Sequence, residues 1–224
     1  VNVAQNLVTI QQQISDSCKI SGRNPQDVKI IAVTKYVSIE TAEQALNAGV
    51  IHIGENRDEG LAEKWSYFSD KPVWHFIGSL QTRKVKNIID KVDYIHSIDR
   101  LSLAEEIQKR ATRKIKCFIQ VNVSEEESKH GISPNELHSF ISKMELFPLI
   151  EIVGLMTMAP FTDNRELIRD CFKRLKIMQG EVQALNLPFA PCHELSMGMS
   201  NDYDIAVEEG ATFIRIGTSL VGNK

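Results

Sequence analysis

A lysine closes one of the most apolar runs in this chain of 224 residues. In VKIIAVTKY, Val28–Tyr36, Lys35 follows a β-branched stretch of the kind that a parallel sheet buries on both faces. Turned into an apolar recess, its ammonium would lose water, the charged form would be disfavoured, and the amine lone pair would be freed. That is the chemistry of a lysine that forms a Schiff base with a carbonyl compound. A strand-end lysine reaching out to solvent is the alternative, and for this residue taken alone it is the commoner outcome.

Two further segments carry the residues of an anion site. In SMGMSNDYDIAVEEG, Ser196–Gly210, Ser200 is placed to cap a helix with Asp202 and Asp204 in its first turn, and Gly198 allows close approach of the backbone. Free N–H groups and a hydroxyl at a helix start bind phosphate, whereas two acids there also suit an ordinary cap. In RIGTSL, Arg215–Leu220, Gly217 and Thr218 supply N–H donors and a hydroxyl. Arg215, inside a strand, needs an anionic or acceptor partner, and a structural salt bridge would serve as well as a ligand.

These residues need a scaffold that brings them together. Apolar positions Leu7, Ile10, Ile14 and Cys18 have helical spacing over residues 4–21. Strand patterns then follow at Val28–Tyr36, Val50–Asn56, Val73–Leu80, Tyr94–Asp99, Ile115–Val123, Glu151–Met158, Cys192–Gly198 and Phe213–Gly222, separated by helical stretches. Ser38 begins the first of these helices, and Ser200–Glu209 is the last. Eight alternating units predict an α/β protein built as a single (β/α)₈ TIM barrel over residues 1–224, with an extra N-terminal helix. Alternation alone leaves an open doubly wound sheet as the rival, weakened by the lack of a GxGxxG or P-loop motif. In a barrel, strand C-termini form the active face. The polar residues there are Lys35, Asn56, Ser79 with Gln81, Asp99, Asn122, Thr157, Ser196 with Ser200, and Arg215 with Thr218. The Ser200 and Gly217 segments then occupy the loops after strands seven and eight, where barrels often hold phosphate.

Composition narrows the classes. A net charge of -3 excludes a global basic field for nucleic acid. No run of about 18 apolar residues predicts a membrane helix, and the polar N-terminus is unlike a signal peptide. Cys18, Cys117, Cys171 and Cys192 are scattered, which predicts reduced thiols in a cytoplasmic protein. Neither these cysteines nor the histidines have metal-site spacing. The chain begins at Val1, without methionine, which predicts a trimmed or processed terminus.

The segment WHFIGSLQTRKVKNI, Trp74–Ile88, resembles the signature of the pyridoxal phosphate homeostasis protein family, also called proline synthetase co-transcribed homologues. AVTKYVS, HIGENR, GLMTMAP, ELSMGMSNDYDIAVEEG and RIGTSLVG are similar to its other motifs, in order, over residues 28–222. The resemblance implies a barrel like the alanine racemase N-terminal domain, with pyridoxal 5′-phosphate bound as a Schiff base on Lys35. It implies that Ser200, Gly217 and Thr218 hold the phosphate, that Arg215 faces the pyridine nitrogen, and that Asn56 lies near the ring. It also implies a carrier or regulator of the cofactor and of amino-acid balance, with PLP-dependent apo-enzymes as partners. Arg83 stands where the family commonly has asparagine, outside that set, and the family usually extends a few residues past Lys224.

The same chemistry leaves a racemase as an alternative, and a barrel for another phosphorylated metabolite as a third. An arginine at the pyridine nitrogen disfavours its protonation and weakens the ring as an electron sink. Lys35 serves one face, and strand alternation is expected to turn Tyr36 away from it. His52 and His75, inside strands, read as satisfied core residues. Cys192 and His193, adjacent in a strand, should face opposite ways. Glu125, Glu126 and Glu127 read as a solvated loop, and Arg83, Lys84 and Lys86 as solvated surface. A barrel that buries its own core predicts a monomer.

Overall fold

The computed structural model describes residues 1–127 and 129–223. Eight parallel strands run in chain order around a closed barrel: β1 (Lys29–Val33), β2 (His52–Glu55), β3 (Val73–Phe76), β4 (Tyr94–Ile98), β5 (Ile115–Gln120), β6 (Ile150–Met156), β7 (Glu194–Ser196) and β8 (Phe213–Ile216). The sheet closes because β8 pairs with β1, in a register running from Lys29 opposite Phe213 to Ala32 opposite Ile216. That pairing selects the barrel over the open sheet.

Nine helices lie among the described residues: α1 (Val3–Ser21), α2 (Ile39–Asn47), α3 (Asp58–Phe68), α4 (Val85–Ile88), α5 (Leu101–Arg110), α6 (Leu137–Lys143), α7 (Arg165–Ala184), α8 (Tyr203–Glu208) and α9 (Thr218–Val221). The leading helix α1 is capped by Asn2, which accepts from the Gln5 N–H at 3.0 Å, and stops at Gly22 with φ 70°. Its buried stripe of Leu7, Ile10, Ile14 and Cys18 packs toward α8 and α9. Each of the larger side chains contributes about 1.5–3 kcal/mol of burial. Asn6 Nδ2 then donates to Leu220 O at 2.9 Å, which ties α1 to the segment that follows β8. None of the described helices is long and apolar enough to cross a membrane. All four cysteines are free and buried.

Several elements are shorter than the apolar patterns suggest. The run Val28–Tyr36 is strand only to Val33, because Val37 N bonds to Thr34 O at 3.2 Å and turns the chain. Val73–Leu80 pairs only as far as Phe76, and the helix expected from Thr82 starts as a 3₁₀ turn. The apolar run Phe213–Gly222 is strand β8 and then, past Gly217, the short helix α9. Ser200 does not cap α8, the helix that follows it. Asp202 stands at the N-cap of α8, which starts at Tyr203, and its carboxylate takes the upstream Met199 N–H at 2.7 Å and none from the helix. Cys192 and His193 precede β7, with Cys192 at φ 53°, so strand alternation does not govern them. One is buried and the other exposed all the same.

Apolar packing falls into two layers. A large shell lies between strands and helices. A second, small cluster of Ile31, Phe118, Val153, Met156 and Phe213 sits apart from it, on inward positions of the strands. The remaining interior is polar, and that has consequences for the site above it.

Candidate functional site

The expected residues converge on the ends of four neighbouring strands, β7, β8, β1 and β2. Lys35 lies two residues past β1 and is exposed. Of the two readings of this lysine, the one that reaches solvent is observed, because the chain leaves the barrel wall at Thr34 and turns. Tyr36 is in the left-handed region at φ 66° and is not part of the strand. Alternation therefore does not separate it from Lys35: the Lys35 Nζ stands 5.9 Å from the Tyr36 ring centroid, and Arg57 approaches the same ring at 5.5 Å.

Behind this turn lies a buried ion pair. Lys64 Nζ of α3 is 2.7 Å from Glu55 Oε1 at the end of β2, with side chains 4% and 2% exposed. The same carboxylate oxygen accepts from Thr34 Oγ1 at 2.8 Å. The residue before Lys35 is thereby anchored to the residue before Asn56. Asn56 itself is half-buried and closely backed by Gly78, where an added Cβ would stand 2.7 Å from the Asn56 Cβ.

The loops after β7 and β8 are joined. Ser219 N donates to Ser200 Oγ at 3.2 Å. The Ser200 hydroxyl proton stays available, and α9 starts at Thr218, with Ser200 holding the Ser219 N–H and no side chain of the N-cap residue Gly217 on its first turn. Gly198, at φ 100°, turns the chain where an added Cβ would stand 2.6 Å from Ala206 Cβ. The two acids that might repel an anion are engaged elsewhere. Asp202 holds the Met199 N–H, and Asp204 pairs with Arg165. Burial raises the Asp202 carboxyl above its usual range, partly offset by that Met199 N–H and by the charge of Arg215.

Arg215 is buried in β8 and donates through Nη1 to Ser196 Oγ and through Nη2 to Thr157 O at 3.1 Å. These are neutral acceptors, and no salt bridge to Arg215 is present among the described residues. Burial pushes its guanidinium down to about 10, and it stays charged at neutral pH. A guanidinium has more N–H donors than two bonds use.

Other residues considered from the sequence are spent on structure. Asp99 pairs with Arg100 at 2.8 Å, and Asn122 Nδ2 donates to Glu126 O at 2.8 Å. Lys84 pairs with Asp58 and Glu59 at 3.0 and 3.3 Å, so this part of the basic cluster is neutralised. Sequence reasoning missed His96 altogether. It took His52 and His75 as separate core residues, yet the three are hydrogen-bonded in series, His52 Nδ1 to His75 Nε2 at 2.9 Å and His75 Nδ1 to His96 Nε2 at 2.8 Å. The available signal was one histidine in each of three consecutive strands, in HIGEN, WHF and YIHSI.

The donor set suits a phosphorylated carbonyl compound with a ring acceptor. An exposed amine, a hydroxyl beside the start of α9, and a cationic donor with unused N–H capacity lie at the ends or inner face of adjoining strands.

A protein-family model, the alanine racemase N-terminal domain, matches residues 5–224. The pyridoxal phosphate homeostasis protein of Aquifex aeolicus is 38% identical over 228 residues, covering 100% of this chain and 99% of that one. The structure of PipY from Synechococcus elongatus with PLP bound superposes with a TM-score of 0.86 at 31% identity, covering 98% of this chain and all of that one. Alanine racemase from Corynebacterium glutamicum, at 14% identity, TM-score 0.74 and 60% of its length, shares the fold.

Proposed function

The chain belongs to the alanine racemase N-terminal domain family, alongside the pyridoxal phosphate homeostasis proteins, and from that premise we propose that it binds pyridoxal 5′-phosphate reversibly at the barrel mouth and acts in homeostasis of that cofactor. The observation that carries the reading is the bond from Ser219 N to Ser200 Oγ, which brings the Ser200 hydroxyl to the start of α9, beside the strand that leads to Lys35. In this reading Ser200, Gly217 and Thr218 hold the phosphate, Lys35 takes the aldehyde as a Schiff base, Arg215 donates to the pyridine nitrogen, and Asn56 borders the ring.

When bound, the cofactor supplies an electrophilic carbonyl carbon and a ring able to withdraw electrons. Arg215 restrains the second property, because its charge repels a proton on the nitrogen it faces. Lys35, at the exposed rim, can be reached by small amines and by solvent, which suits reversible loading. The set holds one base, Lys35, and this favours holding and release over turnover. PLP-dependent apo-enzymes are the partners such a carrier would serve.

The test is the visible spectrum of the protein with added pyridoxal phosphate, before and after borohydride, for wild type and Lys35→Ala. An imine band in wild type that borohydride removes and the variant lacks supports the reading. No band in wild type overturns it. Transfer of bound cofactor to an apo-enzyme then tests delivery, and α-proton exchange on a panel of amino acids would place the chain among the racemases instead.

A further inference from the structure

A line of polar side chains climbs through the inside of the barrel to Arg215. His52 Nδ1 lies 2.9 Å from His75 Nε2, His75 Nδ1 lies 2.8 Å from His96 Nε2, and His96 Nδ1 lies 2.8 Å from Ser196 Oγ, which accepts from Arg215 Nη1. Strand register makes the climb. His52 is paired with Val73, and His75 stands two residues further along β3. His75 is paired with Tyr94, and His96 stands two residues further along β4. Ser196 is paired with Phe213, and Arg215 stands two residues further along β8.

The direction of these bonds follows from what each group can do. An arginine has no acceptor, so Ser196 Oγ must accept from it. The serine proton is then free for His96 Nδ1, and in that order Nδ1 is bare and His96 is protonated on Nε2. The same step repeats. His96 donates to His75 Nδ1, His75 donates from Nε2 to His52 Nδ1, and His52 carries its proton on Nε2 at the barrel floor. The floor also carries the Glu194 carboxylate, which takes no hydrogen bond from His52 among the described residues. Glu194 pairs with Lys29 through Oε1 at 3.2 Å, while its Oε2 is buried without a partner among the described residues. In the reverse order Ser196 would accept twice, and none of the described bonds gives its own proton an acceptor.

The surroundings keep the imidazoles neutral. His75 is stacked on Tyr94 with centroids 4.5 Å apart, and His96 on Phe118 at 4.3 Å. Burial pushes His52 down to about 4, with the charge of Lys29 adding to it and that of Glu194 opposing it. Burial also holds His75 and His96 well below the ordinary histidine value, as do the neighbouring imidazoles and, at His96, Arg215.

We propose that His52, His75, His96 and Ser196 form a one-way hydrogen-bond relay, oriented by Arg215 at its upper end, in which Ser196 and His96 are positioning residues for the Arg215 guanidinium. With Ser196 and Thr157 O holding two of its nitrogens, the remaining N–H groups are left for an acceptor ligand. The functional half of this inference rests on the cofactor reading above. The tautomeric half does not.

Two measurements separate them. Long-range ¹H–¹⁵N spectra of histidine-labelled full-length protein, without cofactor, should show His52, His75 and His96 neutral and protonated on Nε2. A proton on Nδ1 of His96 would overturn the relay. Titration with pyridoxal phosphate should then show Ser196→Ala binding about tenfold more weakly, the factor expected for one lost charge-assisted hydrogen bond, with a shifted imine band. Binding of inorganic phosphate should be unchanged. His96→Asn, whose amide oxygen can replace the Nδ1 acceptor, should retain most of the affinity. A folded Ser196→Ala protein with wild-type affinity and band position overturns the positioning role. If that variant does not fold, the wild-type tautomers decide. An absent imine band in wild type would sink the cofactor reading while leaving the tautomer result to stand or fall alone.

Discussion

Ser219 N donates to Ser200 Oγ across 3.2 Å, and through this one bond the loop after β7 is fastened to the loop after β8. The serine accepts in that bond and keeps its own proton to offer outward. Ser200→Ala should therefore loosen the joined loops and remove a donor together. A hydrogen bond to a charged acceptor contributes about 1.5–3 kcal/mol, so pyridoxal phosphate should bind roughly tenfold more weakly or worse. Pyridoxal without the phosphate should be little affected. Equal losses for both ligands would show that Ser200 does not serve the phosphate.

The Lys64–Glu55 pair is buried on both sides and also holds Thr34. Removing one partner strands the other charge in the interior, at a typical cost of about 3–5 kcal/mol. Lys64→Met should lower the unfolding free energy measured by urea denaturation by that amount, and Glu55→Gln with Lys64→Met together should recover part of it. If Lys64→Met unfolds at the wild-type midpoint, the pair does not stabilise the turn that carries Lys35.

Acid should destabilise the protein in a defined window. His52, His75 and His96 are neutral in the fold, below the ordinary histidine value of 6.5. Above pH 6.5 neither state gains a proton at these rings, and stability is full. As pH falls below 6.5 the unfolded chain binds protons that the folded chain refuses, so stability drops by up to about 1.4 kcal/mol per pH unit for each histidine. For His52 the loss levels off near pH 4, and for the other two it continues lower. Asp202, whose carboxyl is raised by burial, works in the opposite direction. Urea midpoints at pH 7.5, 6 and 5 should fall steeply in wild type and less steeply in His75→Phe. Parallel curves would contradict the neutral histidines.

Gly78 is required by Asn56. A Cβ there would stand 2.7 Å from the Asn56 Cβ and 2.8 Å from its carbonyl oxygen. Gly78→Ala should cost about 1–3 kcal/mol through overpacking and weaken cofactor binding as Asn56 is displaced. Gly180→Ala is the control: it lies in α7 with nothing within 4 Å of the added methyl, and helix propensity predicts a gain of about 0.5–1 kcal/mol. Thermal melts of the two variants should move in opposite directions.

Read alone, the sequence determined which kinds of element form and which residues carry chemistry. Alternating β-branched runs and amphipathic stretches are local properties, so eight βα units and the leading helix were legible in the order of residues. Lys35, Arg215, Ser200 and Gly217–Thr218 were legible as polar residues at strand ends. Strand limits were less so: the apolar run Phe213–Gly222 is strand and then helix, because pairing with β1 stops at Ile216 and an apolar side chain buries equally well in either. The joining of Ser200 to Ser219, the exposure of Lys35 beside Tyr36, and the series from His52 to Arg215 belong to the tertiary structure. Each depends on which residue of one strand lies opposite which residue of the next, and that register is set only when the barrel closes.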